Sequence, residues 1–337
     1  MTEPTAGTPA ALCVALDGLV LGKPELTRLT VAAFLAGGHV LLEGLPGLGK
    51  TLLAKSLATL TGLEYKRIQF TPDLMPADIT GTHVWENTAA GGGMRFVPGP
   101  VFTHFLLADE INRASAKTQA ALLEAMGEGS VTWLGETRTL PAPFFVIATQ
   151  NPIEMEGTNP LPEAQLDRFA VKLAVAATDE ASLLRIISER KTGVPATPLA
   201  VLDRESTLRA QAQVDAVFLP EAIAVLIARL VMRANPEAPE ASAAIRAAVK
   251  YGPSPRAAIW LARIARALAL LDGRQGVGFE DVVRALPHVL SHRMILSYAA
   301  RLDGVSVSAL LSELYVSTER ELLGQTLQQT KAGGARA

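Results

Sequence analysis

The sequence predicts an α/β domain with a mostly parallel sheet and two β-hairpin inserts, followed by an all-α domain. Three observations carry this. Before about residue 195, short apolar or β-branched runs (HVLLEG, YKRIQF, FLLADE, PFFVIATQN and VKLAVA) alternate with helical segments. Beyond it, Leu/Ala/Arg-rich helical patterns are separated by NPEAPE, YGPSP and DGRQGVG, with no convincing strand. Within the first half, GTHVWENTAAGGGMRFV and SVTWLGETRTL read as hairpins that an α/β sheet does not require, the second turning at Gly135–Glu136 as a type II′ turn. KTGVPATPLA has the composition of a joint. The expected organisation is a flexible tail over 1–11, an α/β core over 12–195, an all-α domain over 196–325 and a second flexible tail over 326–337.

Composition narrows the function classes. The 337 residues suffice for two domains, and 31 Lys and Arg against 33 Asp and Glu give a formal charge of −2. Bulk electrostatic attraction to nucleic acid is therefore not expected. Cys13 is the single cysteine, which fits a reducing compartment, and MTEPTAGTPAAL lacks the basic start of a signal peptide. A cytoplasmic location is expected. The apolar windows VFLPEAIAVLIARLVM and AAIWLARIARALALL are each interrupted by charge, so no membrane span is expected. In the second, Trp260, Ile264, Leu268 and Leu271 share one helical face.

The chemistry starts at HVLLEGLPGLGKT. Gly44, Gly49, Lys50 and Thr51 satisfy G-x-x-x-x-G-K-[ST] between a buried strand and a helix pattern, the context this phosphate-binding motif needs. Glycines let backbone N–H groups wrap phosphates, and the helix N-terminus adds a field that favours anions. Lys50 is placed to reach the β/γ-phosphates and the Thr51 hydroxyl to bind Mg²⁺. FLLADEINRAS then brings Asp109 and Glu110 to a strand end. Two adjacent acids repel, which makes sense opposite a cation. Asp109 would hold magnesium and Glu110 would orient or deprotonate the attacking water; an N-cap and a solvated loop acid are the alternative.

FFVIATQNP brings Thr149 and Asn151 to the same edge, where open α/β sheets bind ligands. Asn151 either contacts the γ-phosphate or water, or forms the turn before Pro152. GPSPRAAIW reads as a helix start with Ser254 as cap and Pro255 first. Arg256 in that first turn opposes the helix dipole, so a bound anion there outweighs a merely solvated side chain. Arg168 in PEAQLDRF closes a short helix beginning near Pro162 and is either a surface partner of Asp167 or catalytic. His288 and His292 have the i, i+4 spacing of helical metal ligands but no third ligand, and are set aside. Trp85 and Trp133, two of three tryptophans, sit in the hairpins. They either grip a protein surface or pin the hairpins to the core.

LLEGLPGLGKT, FLLADEINRA, ATQNPIEMEGTNPLPEAQLDRF and GPSPRA, in this order, closely resemble the MoxR family of AAA+ ATPases, as does LPHVLSHRMILSY. The resemblance covers roughly residues 12–315. It implies a P-loop AAA+ core and a helical lid, with ATP and Mg²⁺ as ligands. Walker A would comprise Gly44, Leu45, Pro46, Gly47, Leu48, Gly49, Lys50 and Thr51, with Leu52 beyond it. Asp109 and Glu110 would be Walker B, Asn151 sensor 1, Arg168 an arginine finger acting on the neighbouring subunit, and Arg256 sensor 2. Leu21 and Gly22 match the adenine-contacting turn; Arg113 receives no role.

The hairpins match the helix-2 insert and pre-sensor hairpin of this clade, whose members form hexameric rings. Chaperone-like maturation of a protein client, typically one with a von Willebrand factor A domain, is implied. The rivals are a nucleic-acid motor, whose hairpins should be basic although Glu86 offsets Arg95 and Glu136 offsets Arg138, and a nucleotide-gated scaffold with little turnover.

Overall fold

The five strands expected of the sheet all form in the computed structural model, which describes residues 7–88, 91–152, 159–190 and 198–334. With the hairpin strands, they are β1 (His39–Glu43), β2 (Tyr65–Gln69), β3 (Gly81–Thr88), β4 (Gly91–Pro98), β5 (Phe105–Asp109), β6 (Ser130–Trp133), β7 (Glu136–Thr139), β8 (Phe145–Gln150) and β9 (Phe169–Ala174). The sheet runs β2-β5-β8-β1-β9, every pairing parallel. Val40, Leu41, Leu42, Leu106, Leu107, Val146 and Ile147 are fully buried, which is why these strands read as continuous apolar runs. Phe34, from the helix Pro24–Leu35, packs on Phe105 and Phe145 with ring centroids 6.3 and 5.1 Å away. This aromatic cluster sits at the start of the strands. Because β5, β8 and β1 are parallel neighbours, their C-terminal ends share one edge, and that edge receives the phosphate loop and both acids.

Both hairpins form outside this sheet. In the second, Trp133 pairs with Glu136, so the turn residues are Leu134 and Gly135, with φ of 50° and 81°. Two left-handed residues make a type I′ turn, which corrects the expected type II′ turn at Gly135–Glu136. A leucine in that region costs about 1 kcal/mol, so local preference pointed away from it. The Arg138 guanidinium lies 4.1 Å from the Phe96 ring centroid and links the two hairpins.

The tryptophans separate. Trp85 is 64% exposed, its ring lying across Gly92 of the facing strand and its Nε1 donating to Asn87 Oδ1 at 2.9 Å. Trp133 is half-buried and lines a cavity of about 150 Å³ with Pro76, Thr80, Ala121 and Ala125.

The chain divides into two compact units, residues 1–213 and 214–337. The first extends past the joint expected at 195, which falls in the stretch 191–197 outside the described residues. Its added segment is tied down locally: the Val201 and Leu202 N–H groups donate to Leu60 O at 2.7 and 3.0 Å, and Gln211 Nε2 to Phe34 O at 3.0 Å. The second unit is helical except for β10 (Val249–Tyr251) and β11 (Ile295–Leu296), an antiparallel ladder too short to leave a periodicity in the sequence. On its helix Pro255–Leu271, Ile264, Leu268 and Leu271 are buried and Trp260 half-buried. The helix Val307–Gly334 takes in most of the tail expected over 326–337, and Pro9–Leu19 begins inside the tail expected over 1–11.

His39, the first residue of β1, is buried, and Val146 N–H donates to its Nδ1 at 3.1 Å, which leaves the proton on Nε2 facing Met126 O at 3.3 Å. Burial lowers its pKa to about 4, only partly opposed by the Met126 carbonyl. The unfolded chain therefore takes up this proton first as pH falls. The stability conferred by the neutral ring is complete above pH 6.5 and is lost progressively down to about pH 4. The loss amounts to about 3 kcal/mol. Urea denaturation at pH 7.5 and 4.5 should show a smaller pH dependence in His39→Gln than in the parent. For the hairpins, Trp133→Ala should cost about 1–3 kcal/mol in the same assay, and Trp85→Ala no more than about 0.5 kcal/mol.

Candidate functional site

After β1 the chain turns through Gly44–Gly49 into the helix Lys50–Leu60. A β-carbon on Gly44 would lie 2.9 Å from Val175 O, so a larger residue would push the loop off the end of β9. Gly47 and Gly49 have φ of 80° and 87°, a conformation that glycine takes without strain. Leu45, Pro46 and Gly47 are exposed, Leu48, Gly49 and Leu52 half-buried. Lys50 is buried, its Nζ donating to Gly44 O across the loop, while Thr51 is exposed in the first helical turn. The N-terminus of this helix opens on the loop, where the helix field favours phosphate oxygens. Leu21 is buried and Gly22 takes φ 76°, where a β-carbon would collide with Ser182 Oγ at 2.1 Å. Lys23 Nζ donates to Ala176 O, so this turn and the phosphate loop flank the same segment after β9.

The acids stand two strands away, across β8. Asp109, last residue of β5, is 8% exposed. Its Oδ1 accepts from Thr149 Oγ1 at 2.6 Å; its Oδ2 accepts from Arg67 Nη2 at 2.6 Å and Nε at 3.2 Å. Thr149 in turn accepts the Glu110 N–H at 2.9 Å. Glu110 has φ 56° and ψ 49°, a strained conformation for a residue with a side chain. Its Oε2 accepts from Gln69 Nε2 at 2.7 Å and Arg113 Nη1 at 3.0 Å. Asn151, directly after β8, is buried, and its carbonyl accepts from Asn112 Nδ2 at 3.3 Å. Part of the ATQNPIEMEGTNPLPEAQLDRF motif, 153–158, lies outside the described residues.

Arg168 is elsewhere. It follows the short helix Glu163–Leu166 and precedes Phe169, which pairs with His39 at the start of β1. The residue therefore stands at the opposite edge of the sheet from Gly44, about one five-residue strand or roughly 15 Å away. A β-carbon on Gly127, near the C-terminus of the helix Ala116–Glu128, would lie 3.0 Å from its Nη1, and its buried Nε has no hydrogen-bond partner among the described residues. Arg256 lies in the second unit, exposed in the first turn of Pro255–Leu271, with Ser254 at the cap position and Pro255 first. Among the described residues no group of three His, Cys, Asp or Glu could hold a metal.

Three participants escaped the sequence reading. Arg67 and Gln69 alternate on β2, which places both on the face that meets the acids, and that alternation in YKRIQF was the available signal. Gln119 is fully buried; its Nε2 donates to the carbonyls of Ile111, Ala114 and Asn159 at 3.2, 3.1 and 2.9 Å. It braces the turn behind Glu110, and nothing in its local sequence marks it.

A strand–loop–helix phosphate cradle beside two strand-end acids defines a P-loop nucleotide-binding core. Residues 39–171 match the ATPase family associated with various cellular activities (AAA), and residues 240–314 match the AAA lid domain. The uncharacterised protein YeaC of Bacillus subtilis is 42% identical over 89% of this chain and 90% of its own length. Chaperone MoxR1 of Mycobacterium tuberculosis is 40% identical over 88% of this chain and 78% of its own. The crystal structure of a candidate ATPase from Cytophaga hutchinsonii superposes with a TM-score of 0.81 at 38% identity, covering 90% of this chain and 92% of that one. The chain belongs to the MoxR family of AAA+ ATPases. No helix among the described residues is long and apolar enough to cross a membrane.

Proposed function

We propose that this protein is a Mg²⁺-dependent ATPase that works as a homo-oligomeric, hexameric ring and uses turnover to remodel or mature a protein client in the cytoplasm. One observation carries the reading: Lys50, Asp109, Glu110 and Asn151 converge on one sheet edge while Arg168 stands on the other. Residues Gly44 to Leu52 cradle the phosphates, and Leu21 and Gly22 contact the adenine. Thr51 and Asp109 suit a hard divalent cation, offering a hydroxyl and a carboxylate whose Oδ2 already accepts one cationic side chain. Mg²⁺, when bound, would neutralise phosphate charge. Glu110 orients the attacking water, Asn151 the water or the γ-phosphate, and Arg256 takes the sensor 2 role that the family resemblance implies.

The client reading draws on the relative named as a chaperone and on the exposed Trp85. A von Willebrand factor A domain protein is the partner we favour. Against a nucleic-acid motor, Arg95 pairs with Glu86 at 2.8 Å and Arg138 with Glu136, so neither hairpin offers an uncompensated basic surface to a phosphate backbone. Against a passive scaffold, both strand-end acids and Arg168 are present.

Glu110→Gln should retain ATP and lose about a hundredfold or more in turnover, whereas Lys50→Ala should lose binding itself. Equilibrium binding of radiolabelled ATP beside a phosphate-release assay checks both, and equal affinities in the two variants would refute the roles. Arg168→Ala should bind ATP normally yet hydrolyse it about a thousandfold more slowly. Mixing it with Lys50→Ala protein should recover part of the activity through interfaces that combine an intact loop with an intact arginine. Full activity of Arg168→Ala on its own would contradict an action across subunits.

A further inference from the structure

We infer that Arg67 is the resting counter-ion of Asp109: it holds that carboxylate while no divalent cation is bound, and it must yield its place when one arrives. The inference rests on reading Asp109 as the acid that faces the cation.

The two oxygens of Asp109 are served differently. Thr149 Oγ1 takes Oδ1 from within the sheet, through an uncharged bond that a cation on the far oxygen would not disturb. Arg67 takes Oδ2 alone, through Nη2 at 2.6 Å and Nε at 3.2 Å. A divalent ion drawn to that oxygen meets a guanidinium already there, and two cations on one carboxylate oxygen repel. Of the two groups only Arg67 has somewhere to go. Its side chain is 49% exposed on the edge strand β2, against 11% for Asp109.

The pair is not needed to hold β2 in place. The ladder from Tyr65–Phe105 to Gln69–Asp109 already fixes that strand to β5. Arg67 has a second tie, Nη2 to Gln69 Oε1 at 3.0 Å, and the other end of the same amide donates to Glu110. Displacing Arg67 therefore unfastens one end of the side chain that restrains Glu110. Arg67 acts through its neighbours, so we class it as a positioning residue.

The test is a Mg²⁺ titration of the full-length protein with a fluorescent ATP analogue, read as the Mg²⁺ concentration at half-maximal binding. Arg67→Gln should lower that midpoint about fivefold, the weight of a partly exposed ion pair, with binding in chelator unchanged. Arg67→Lys keeps the charge without the two-donor fork and should fall between; it carries the test alone if Arg67→Gln does not fold. An unchanged or higher midpoint in whichever variant folds overturns the inference. Asp109→Asn, run in parallel, should raise the midpoint. If it does not, the cation-facing reading of Asp109 is itself wrong, a failure separable from that of Arg67.

Discussion

A carboxylate that is nearly buried at the end of a parallel strand must be satisfied by its neighbours, and much of this site follows from satisfying Asp109. One oxygen engages Thr149, and the Thr149 hydroxyl also accepts the Glu110 N–H. That bond accompanies the left-handed backbone at Glu110 and turns its side chain toward β2 and Arg113. The other oxygen engages Arg67, whose amide neighbour Gln69 closes the circuit back to Glu110. Five side chains from three strands and one turn thus share a single constraint, and an isolated change at any of them will be felt by the others.

The parallel sheet and the phosphate loop were legible because their signals are local. Continuous apolar runs ending in glycine or acid need only a strand and the turn after it to make sense. What escaped was relational. Arg67 and Gln69 look like ordinary polar residues of an edge strand until β2 is known to lie beside β5. Gln119 has no signature at all, since its role is to fill three carbonyls that belong to distant segments. The turn at Leu134 was misread because preference alone would put a glycine where the strand register placed a leucine. Polar composition after residue 325 resembles a solvated end, yet the helix runs on to Gly334, because helix continuation is decided by the preceding turns.

The hairpins divide labour in a way their sequences do not suggest. Both carry a tryptophan, but Trp133 lines a cavity between its hairpin and the helix Ala116–Glu128, whereas Trp85 covers a glycine on its own hairpin and leaves most of its ring in solvent. The Arg138–Phe96 contact joins the two hairpins directly. Leu134, 78% exposed on strained backbone, is held at that second tip although glycine would sit there more comfortably.

The placement of Arg168 and the phosphate loop on opposite edges of one sheet gives the subunit a direction. Copies that meet through these two edges join unlike surfaces, head to tail, so no two-fold pair can satisfy both partners at once. Such a chain of copies is complete only when its last member returns to its first. In the proposed ring, any open arc would keep one phosphate loop without a facing arginine and one arginine without a loop, and this idle pair would be lost only on closure.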